Sequence, residues 1–454
     1  MSIPPRMEQP SALVRFLNLF TEVRPGEAAS SVLLALNVYL ILSAYYVLKP
    51  VREALILAGG GAELKSYAAA GQAVLLLLIL PIYSWLASNV SGRLLINSVT
   101  LFFAACLLTF YTLAQWQVPL GVVFFLWVGI FNLMVPAQFW AFANDIYDPD
   151  TGKRLFVIVA FGASLGAVSG SYLDRLLLGH VGVYQLMLVA AGILVLSLLI
   201  TNLVAAREKL WQRPATVSTS RPGEPAVAED SIGQGGAFAL VFHNRYLLLI
   251  ALLMLVLNWV NTTGEYILGR TVLETALAAS ADGQVSTEQF IGEFYASFYT
   301  VVNIAGLLLQ LFVVSRVLKY LGVRAAIMLL PLIALGGYIL VAMFPLLSLV
   351  RWVKTAENAT DYSVQNTVRQ ILFLPTTREE KYKAKQVTDT LFVRAGDVLS
   401  ALVVYVGSSW LALSIAGFAL FNTILVACWL LLAYSIGSHY RRLAPATEDK
   451  ESTA

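Results

Sequence analysis

Apolar segments long enough to cross a lipid bilayer recur along the whole sequence. A helix needs about 20 predominantly apolar residues to span a hydrocarbon core roughly 30 Å thick, and apolar runs of that length predict transmembrane helices. Only 13% of the residues are charged, whereas soluble domains carry about 25%. The sequence therefore predicts an all-α polytopic membrane protein that is surrounded by the lipid bilayer.

Twelve segments are predicted to cross the membrane, and the tenth is the least apolar because it contains "RWVKTAENATDYSVQNTVRQ". Lys and Arg residues occupy every second gap between the segments and both ends of the chain. The positive-inside rule places these cationic gaps in the cytoplasm, and the pattern holds only if the tenth segment crosses. We therefore expect a bacterial inner-membrane protein with cytoplasmic N and C termini. The predicted segments are 28–57, 64–87, 93–114, 118–146, 153–178, 182–205, 245–270, 290–317, 322–344, 346–373, 383–409 and 411–437.

The longest polar connection, residues 206–244, is rich in Pro, Gly, Ser and Thr, which is typical of a flexible linker. A weak repeat indicates two related halves, since "YVLKPVREAL" in the first segment matches "YILGRTVLETAL" in the seventh. The predicted organisation is an amphipathic N-terminal segment (1–27), a six-helix half (28–205), the linker, a second six-helix half (245–437) and a cytoplasmic tail (438–454). We expect a monomer.

Several predicted spans contain charged side chains, although one charge at the bilayer centre costs roughly 3 kcal/mol on insertion scales. Such side chains must face protein or water, and they mark a functional site. By contrast, the third, sixth, ninth and twelfth spans have no charged side chain away from their ends. The charged and strongly polar residues of the first, seventh, tenth and eleventh spans include Lys49, Arg52, Glu53, Asn258, Asn261, Glu265, Arg351, Lys354, Glu357, Asp361, Arg369, Asp389, Arg394 and Asp397.

The polar residues of the tenth span share one helix face when they are plotted at 100° per residue. The eighth span has a similar polar face, formed by Tyr295, Tyr299, Asn303 and Gln310. Such faces predict helices that line a polar interior. The predicted polar face of the tenth span comprises Arg351, Lys354, Glu357, Asn358, Asp361, Tyr362, Gln365 and Arg369, and the opposite face comprises Trp352, Ala356, Ala359 and Ser363.

A pattern in which every third helix is apolar resembles the major facilitator superfamily. Four stretches also resemble one of its branches, the nucleotide (ATP/ADP) transporters of plastids and intracellular bacteria. They are "RFLNLFTEVRPGE", "YYVLKPVREALIL", "QFWAFANDIYD" and "DYSVQNTVRQILFLPTTREEKYKAKQVTDTLFVRAGD". The resemblance implies twelve helices in two six-helix halves, alternating access around one central site, and exchange of phosphorylated anions.

The sequence departs from that branch at positions that bear on the substrate. Members of the branch carry Arg-Asp-x-Lys-Asp where this chain has "KPVRE" (residues 49–53), so that Pro replaces an acid. They place an acid in the fourth span, where this chain offers only Asn132, Gln138 and Asn144 before Asp145, and another in the seventh at the position of Asn261, one turn before Glu265. The resemblance therefore implies the fold more directly than the nucleotide substrate.

A cationic patch formed by Lys49, Arg52, Lys354 and Arg394 is predicted to bind an anion, because water competes weakly in a low-dielectric cavity. Guanidinium and ammonium groups both suit phosphate. We expect acidic residues to pair with these cations in the empty site, and tyrosines to stack on a ring such as a base. The residues predicted to bind substrate are Tyr45, Lys49, Arg52, Glu53, Asn132, Asn261, Glu265, Tyr295, Tyr299, Asn303, Lys354, Asn358, Asp361, Tyr362 and Arg394.

Three functions remain open. The first is an exchanger or importer of a phosphorylated metabolite, with ATP and ADP as first candidates. The second is a proton-coupled transporter of another small solute, with Glu265 or Asp361 as the proton carrier. The third is a membrane sensor or scaffold, in which the charges only fix helix packing. Gating or structural pairs are predicted for Asp145, Lys153, Arg369, Asp389 and Asp397.

Enzyme chemistry is not supported by any motif. The sequence contains no P-loop, no HExxH motif and no cluster of His and Cys residues. The Gly-rich stretch "AGGGAEL" (residues 58–64) predicts a turn between the first two spans and not a phosphate cradle. We therefore predict no catalytic residues, no metal, no cofactor and no nucleic-acid partner.

Overall fold

The computed structural model describes residues 21–24, 27–89, 92–147, 149–211, 240–281, 283 and 285–443. These residues are almost entirely helical and include no strand. Most of the predicted amphipathic segment, of the linker and of the tail lies outside them. The helices are α1 (Glu27–Asn89), α2 (Gly92–Gln115), α3 (Gly121–Ile146), α4 (Pro149–Trp211), α5 (Arg245–Ala281), α6 (Thr287–Phe312), α7 (Val314–Tyr320), α8 (Gly322–Met343), α9 (Leu347–Thr360), α10 (Asn366–Ile371), α11 (Arg378–Val387), α12 (Val393–Ser409) and α13 (Ile415–Leu443).

Two of these helices each contain two predicted spans that meet at a glycine. The backbone leaves the helical region at Gly61 (φ 80°, ψ 177°) in α1 and at Gly182 (φ 77°, ψ 171°) in α4. A positive φ is accessible to glycine at little cost, which is why the chain breaks at these positions. The turn predicted at residues 58–64 is therefore confirmed, and a single residue makes it.

Within the described residues, nine helices are long and apolar enough to cross a membrane by length and composition. Two of them, of 53 and 54 residues, correspond to the two-span helices α1 and α4. The predicted tenth span, which consists of α9, the turn at residues 361–365 and α10, does not meet this criterion. Its charged sequence predicted this result. The twelve predicted spans thus all correspond to helical segments in the described part of the chain.

Two π-helical turns interrupt the tenth and eleventh spans, at Asp361–Gln365 and Thr388–Phe392. An i→i+5 turn holds more residues than an α-helical turn, so a projection at 100° per residue fails beyond it. The single polar face predicted for the tenth span accordingly fails within this turn. Tyr362, which was predicted on that face, is 40% exposed, whereas Ser363, which was predicted on the opposite face, is buried.

The chain divides into two compact units. Unit 1 comprises Met1–Val51, Ile82–Val118 and Trp127–Arg221, and unit 2 comprises Arg52–Pro81, Pro119–Leu126 and Pro222–Ala454. The division at 51/52 therefore falls inside α1. The two six-helix halves expected from the linker stay a prediction.

In unit 1, α1 and the first part of α4 pack backbone to backbone. A Cβ added at Gly162, Gly166 or Gly170 of α4 would collide with backbone atoms of α1, at Ala35, Tyr39 and Ser43 respectively. Small residues spaced four apart allow this close approach in membranes, where van der Waals packing and polar contacts hold helices together.

In unit 2, a capping box begins α11. The Thr377 side chain accepts a hydrogen bond from the Glu380 N–H, and the Glu380 carboxylate accepts one from the Thr377 N–H (2.9 Å). Asn244, which precedes α5, donates to the same carboxylate (2.8 Å). Partial burial disfavours the charged form of Glu380, but these hydrogen bonds outweigh it and lower the pKa of the carboxyl below its usual value.

We expect Gly170→Ala to lower the free energy of unfolding by about 1–3 kcal/mol, because overpacking a close helix contact costs that much. The added Cβ would lie 2.6 Å from the Ser43 carbonyl oxygen. Gly192→Ala, in the same helix with no atom within 4 Å of the added Cβ, is the matched control. Thermal unfolding in detergent measures both. Equal melting temperatures would contradict the backbone packing of α1 on α4.

Candidate functional site

Six oppositely charged side chains of unit 2 form a continuous network in which the sign alternates. We call this set the charge network. Its members, in order of contact, are Arg52, Glu53, Lys65, Glu265, Lys354 and Glu357. The distances are 2.5 Å from Arg52 Nη2 to Glu53 Oε1, 2.6 Å from Lys65 Nζ to Glu53 Oε2, 3.9 Å from Lys65 Nζ to Glu265 Oε2, 3.5 Å from Lys354 Nζ to Glu265 Oε1, and 3.1 Å from Lys354 Nζ to Glu357 Oε2.

The break at Gly61 creates the first half of the network. Arg52 and Glu53 lie before the break in α1, and Lys65 lies after it. Because the chain reverses at Gly61, Lys65 returns to the level of Glu53 and binds its carboxylate. A continuous helix would place residues twelve apart about 18 Å from each other along the axis.

Helices α5, α8 and α9 supply the second half. Glu265 lies on α5, whereas Lys354 and Glu357 are one turn apart on α9. Tyr338 of α8 donates a hydrogen bond to Glu357 (2.9 Å). Gly264 of α5 makes room for these groups, since a Cβ there would lie 3.0 Å from Lys354 Nζ and would overlap the Tyr338 hydroxyl.

Neutral side chains hold the charged groups as well. Asn261 accepts a hydrogen bond from Lys354 Nζ (3.0 Å), and Asn358 donates one to Glu265 (3.2 Å). Together with the Tyr338 hydroxyl, they give Lys354, Glu265 and Glu357 each a partner that carries no charge.

The network is buried and its formal charges cancel, since it contains three cations and three carboxylates. The side chains of Glu53 and Lys354 are 0% and 1% exposed, and that of Glu265 is 22% exposed. Removing an ion from water costs several kcal/mol even after the protein relaxes, and only a close counter-ion with further hydrogen bonds compensates. Each member is therefore held in place by its neighbours.

Aromatic rings flank the cations. The Lys65 ammonium lies 5.4 Å from the centre of the Tyr295 ring, and the Arg52 guanidinium lies 4.8 Å from that of Phe125. These are distances at which a ring face attracts a cation. The Tyr295 hydroxyl is buried without a hydrogen-bond partner among the described residues, and its ring lies 5.7 Å from that of Tyr299.

The structure brings together eight of the predicted substrate-binding residues in or beside the charge network of unit 2. They are Arg52, Glu53, Asn261, Glu265, Tyr295, Tyr299, Lys354 and Asn358.

Three predicted residues belong to unit 1. Tyr45 is buried and stacks on Phe131, with ring centres 6.4 Å apart. Lys49 is buried, and its ammonium lies 5.3 Å from the centre of the Tyr46 ring. Asn132 is exposed on α3.

The other predicted residues of unit 2 make different contacts. Arg394 lies 3.2 Å from Asp397, which also accepts hydrogen bonds from Asn258 and Thr262 of α5. Arg394 therefore belongs to a pair that joins α12 to α5, and not to the charge network. Asn303 is buried on α6. Asp361 and Tyr362 lie in the π-helical turn, Asp361 with one buried carboxylate oxygen that has no hydrogen-bond partner in the described part of the chain.

Of the predicted gating pairs, Arg369 and Asp389 lie 3.9 Å apart, which connects α10 to the second π-helical turn. Asp145 is exposed, and the Lys153 side chain lies outside the described residues. The neighbouring Arg154 contacts Glu27 (3.0 Å) and donates to the Glu22 carbonyl oxygen (2.6 Å).

Sequence reasoning missed Lys65 and Tyr338. Lys65 follows the glycine turn at the start of an apolar span, a position that reads as the end of a helix. Lys65 lies twelve residues after Glu53, on the other side of the predicted glycine turn, and this spacing could have indicated that the two side chains meet. Tyr338 lies in a span without central charges, and nothing in its own segment indicates that it binds Glu357.

The comparisons with known proteins bear on both fold and ancestry. No protein-family model matches the chain. The ADP,ATP carrier protein 1 of Chlamydia pneumoniae is 21% identical over 60% of this chain, and that of Chlamydia muridarum is 23% identical over 71%. The matches cover 57% and 66% of these relatives, so the chain spans less than two thirds of their length.

Solved structures match almost the whole chain. A bacterial homologue of the human lysosomal transporter Spinster matches with a TM-score of 0.58 and 14% identity, over 93% of this chain and 98% of that one. The nucleoside transporter NupG matches with a TM-score of 0.58 and 13% identity, over 90% of this chain and 98% of that one.

The chain is therefore an integral, multi-pass, all-α membrane protein with the major facilitator fold. Its sequence is distantly similar to those of the ADP,ATP carrier proteins, at 21–23% identity.

We expect Lys354→Met to lower the free energy of unfolding by about 3–5 kcal/mol, because removing one partner leaves a buried charge uncompensated. Adding Glu357→Gln should recover much of this loss, since the remaining charges of the network again cancel. Lys319→Met, which removes an exposed lysine of α7, is the control. Chemical unfolding of the purified protein measures all three. A double variant no more stable than Lys354→Met would argue against charge compensation.

Proposed function

We propose that the protein is a secondary active transporter, and not an enzyme, which exchanges or imports an anionic phosphorylated metabolite by alternating access. ATP and ADP are the first candidates. The observation that carries this proposal is the charge network, in which buried cations are all engaged by carboxylates that another anion can replace. Buried ionisable groups in membrane spans are costly, and such groups mark substrate pathways.

Substrate binding is an exchange of partners. Phosphate oxygens of the substrate replace the carboxylates that now form ion pairs with Arg52, Lys65 and Lys354. Arg52 offers a planar fork, and the lysines add point charges. A phosphate chain carries several negative charges, so it can engage several cations of the network at once.

The neutral partners make this exchange feasible. When a phosphate takes Lys354, the carboxylate of Glu357 keeps its hydrogen bond from Tyr338, and that of Glu265 keeps its bond from Asn358. Neither carboxylate is then left buried without any donor, which would cost about 1–3 kcal/mol or more for a charged group. The carboxylates leave the cations when substrate binds and return when it dissociates. Occupancy of the site therefore changes how the helices pack.

The relatives named ADP,ATP carrier proteins support nucleotides as the first class to test, at 21% and 23% identity. Tyr295 and Tyr299 supply aromatic faces beside Lys65, where a base would stack. The departures at residues 49–53 and at Asn132 favour testing other phosphorylated anions in parallel.

The same proposal places the transporter in a bacterial inner membrane, as a monomer with cytoplasmic termini. Its six-helix halves would be residues 28–205 and 245–437. Cationic gaps between the spans support this orientation.

Proton coupling is the second candidate function, and the environment of Asp361 favours it. One carboxylate oxygen of Asp361 is buried without a hydrogen-bond partner among the described residues. If Asp361 or Glu265 carries a coupled proton, Asp361→Asn or Glu265→Gln abolishes the response of uptake to a pH gradient. Pure exchange ignores that gradient.

We expect proteoliposomes loaded with ADP to take up labelled ATP, and uptake to require internal ADP. Arg52→Ala should reduce uptake at least about tenfold, because the loss of one charge-assisted bond of 1.5–3 kcal/mol corresponds to about a 10- to 150-fold effect. Arg441→Ala, in the exposed last turn of α13, is the control and should retain uptake.

Folding of every variant is checked by thermal unfolding before flux is measured. Absence of uptake by the folded wild type would remove the nucleotide assignment. A screen of sugar phosphates, inorganic phosphate and carboxylates then separates another anion from a protein that transports nothing, which is the sensor or scaffold alternative.

A further inference from the structure

A carboxylic acid in unit 1 is buried without any partner in the described part of the chain. Asp174 of α4 is 0% exposed, and neither of its carboxylate oxygens has a hydrogen-bond partner there. It is no part of the charge network, whose carboxylates all contact cations. A buried group of this kind needs its own explanation.

Asp174 lies on the face of α4 that packs against α1. The glycines at 162, 166 and 170 touch α1 at 35, 39 and 43, so both series advance by four residues, or one turn. One further turn brings Asp174 to the level of Val47, which is fully buried. The sequence "GASLGAVSGSYLD" thus has an acid where a fourth small residue would continue the series, at a buried position.

No described residue of the elements packed around this carboxyl forms an ion pair with it. On its own helix the nearest cation is Arg175, which is exposed. On α1, the titratable groups within two residues of Val47 are Tyr45, Tyr46 and Lys49. The Lys49 ammonium lies over the Tyr46 ring. None of the three hydrogen-bonds to Asp174, because both carboxylate oxygens lack a partner among the described residues.

We propose that Asp174 is a proton-binding site of this protein, occupied while α1 and α4 are packed together and vacated when their interface opens to water. An isolated carboxylate in an apolar interior is so unfavourable that the group stays neutral instead. Protonation removes the charge and leaves an acid that fits among small residues. When water reaches the carboxyl, the charged form is favoured instead, because solvation stabilises the carboxylate.

The consequence for transport rests on the proposed function. In alternating access, helices of one half move during each cycle, and a carboxyl that changes its water exposure with that movement takes up a proton on one side and releases it on the other. Asp174 would then link substrate movement to a proton gradient, in a different unit from the phosphate-binding cations.

The first test is infrared spectroscopy of the full-length protein in lipid nanodiscs at neutral pH, and it requires no substrate. We expect the wild type to show a protonated-carboxyl band that is absent in Asp174→Asn and retained in Glu293→Gln, which removes an exposed carboxyl of α6. Asp174→Asn should melt close to the wild type, because Asn is a neutral isostere of the protonated acid. Loss of folding in Asp174→Asn, or an unchanged band in the folded variant, overturns the proposal.

The second test measures accumulation of labelled nucleotide, or of whichever anion the flux screen identifies, in proteoliposomes with a pH difference of one unit. One coupled proton supports up to about tenfold accumulation per pH unit. We expect this response in the wild type and in Glu293→Gln, and its loss in Asp174→Asn. A wild type that accumulates substrate without regard to the pH gradient would contradict the coupling role. Absence of all flux would refute the proposed function while the infrared result still decides the proton site.

Discussion

Pairing of charge inside a low-dielectric interior is the constraint on which the rest of unit 2 depends. A buried carboxylate or ammonium group is stable only beside an opposite charge with further hydrogen bonds. Arg52, Glu53 and Lys65 satisfy this condition together, and Glu265, Lys354 and Glu357 continue the same alternation. Because the members come from both parts of α1, from α5 and from α9, their pairing also fixes how these helices meet.

Two glycines allow the backbone to adopt this arrangement. Gly61 turns the chain so that Lys65 reaches Glu53, and Gly264 leaves the space that Lys354 and Tyr338 occupy. Neither position contributes a functional group, yet a side chain at Gly61 would strain the turn, and one at Gly264 would overlap the Tyr338 hydroxyl and crowd Lys354. The network is therefore specified by residues without charge as much as by the charged ones.

The fold could be predicted from the sequence because the bilayer imposes a simple length and apolarity rule, which nine of the described helices obey. The polar tenth span fails this rule and was predicted from charge placement alone, and its segment is helical. Local periodicity failed where the backbone departs from an α-helix, as at Tyr362 after the start of a π-helical turn. It also failed for groups whose partners lie on distant segments, such as Lys65 and Tyr338, because the sequence spacing of contacts across a turn or between helices has no fixed period. Arg394 was predicted to belong to the cationic patch, but it forms an ion pair with Asp397 of its own helix.

The two units resolve the cost of buried ionisable groups in different ways, and the difference has a chemical consequence. The charge network of unit 2 pairs each ionisable group with an opposite charge, which prepares cations for exchange between carboxylates and an anionic substrate. Unit 1 leaves Asp174 without any partner among the described residues, so that neutrality must come from a proton. A charge pair responds to a competing anion, whereas a lone acid responds to water and to proton activity. A chain with both devices can therefore sense its substrate and the proton at separate places, and a mutation in one should leave the chemistry of the other intact.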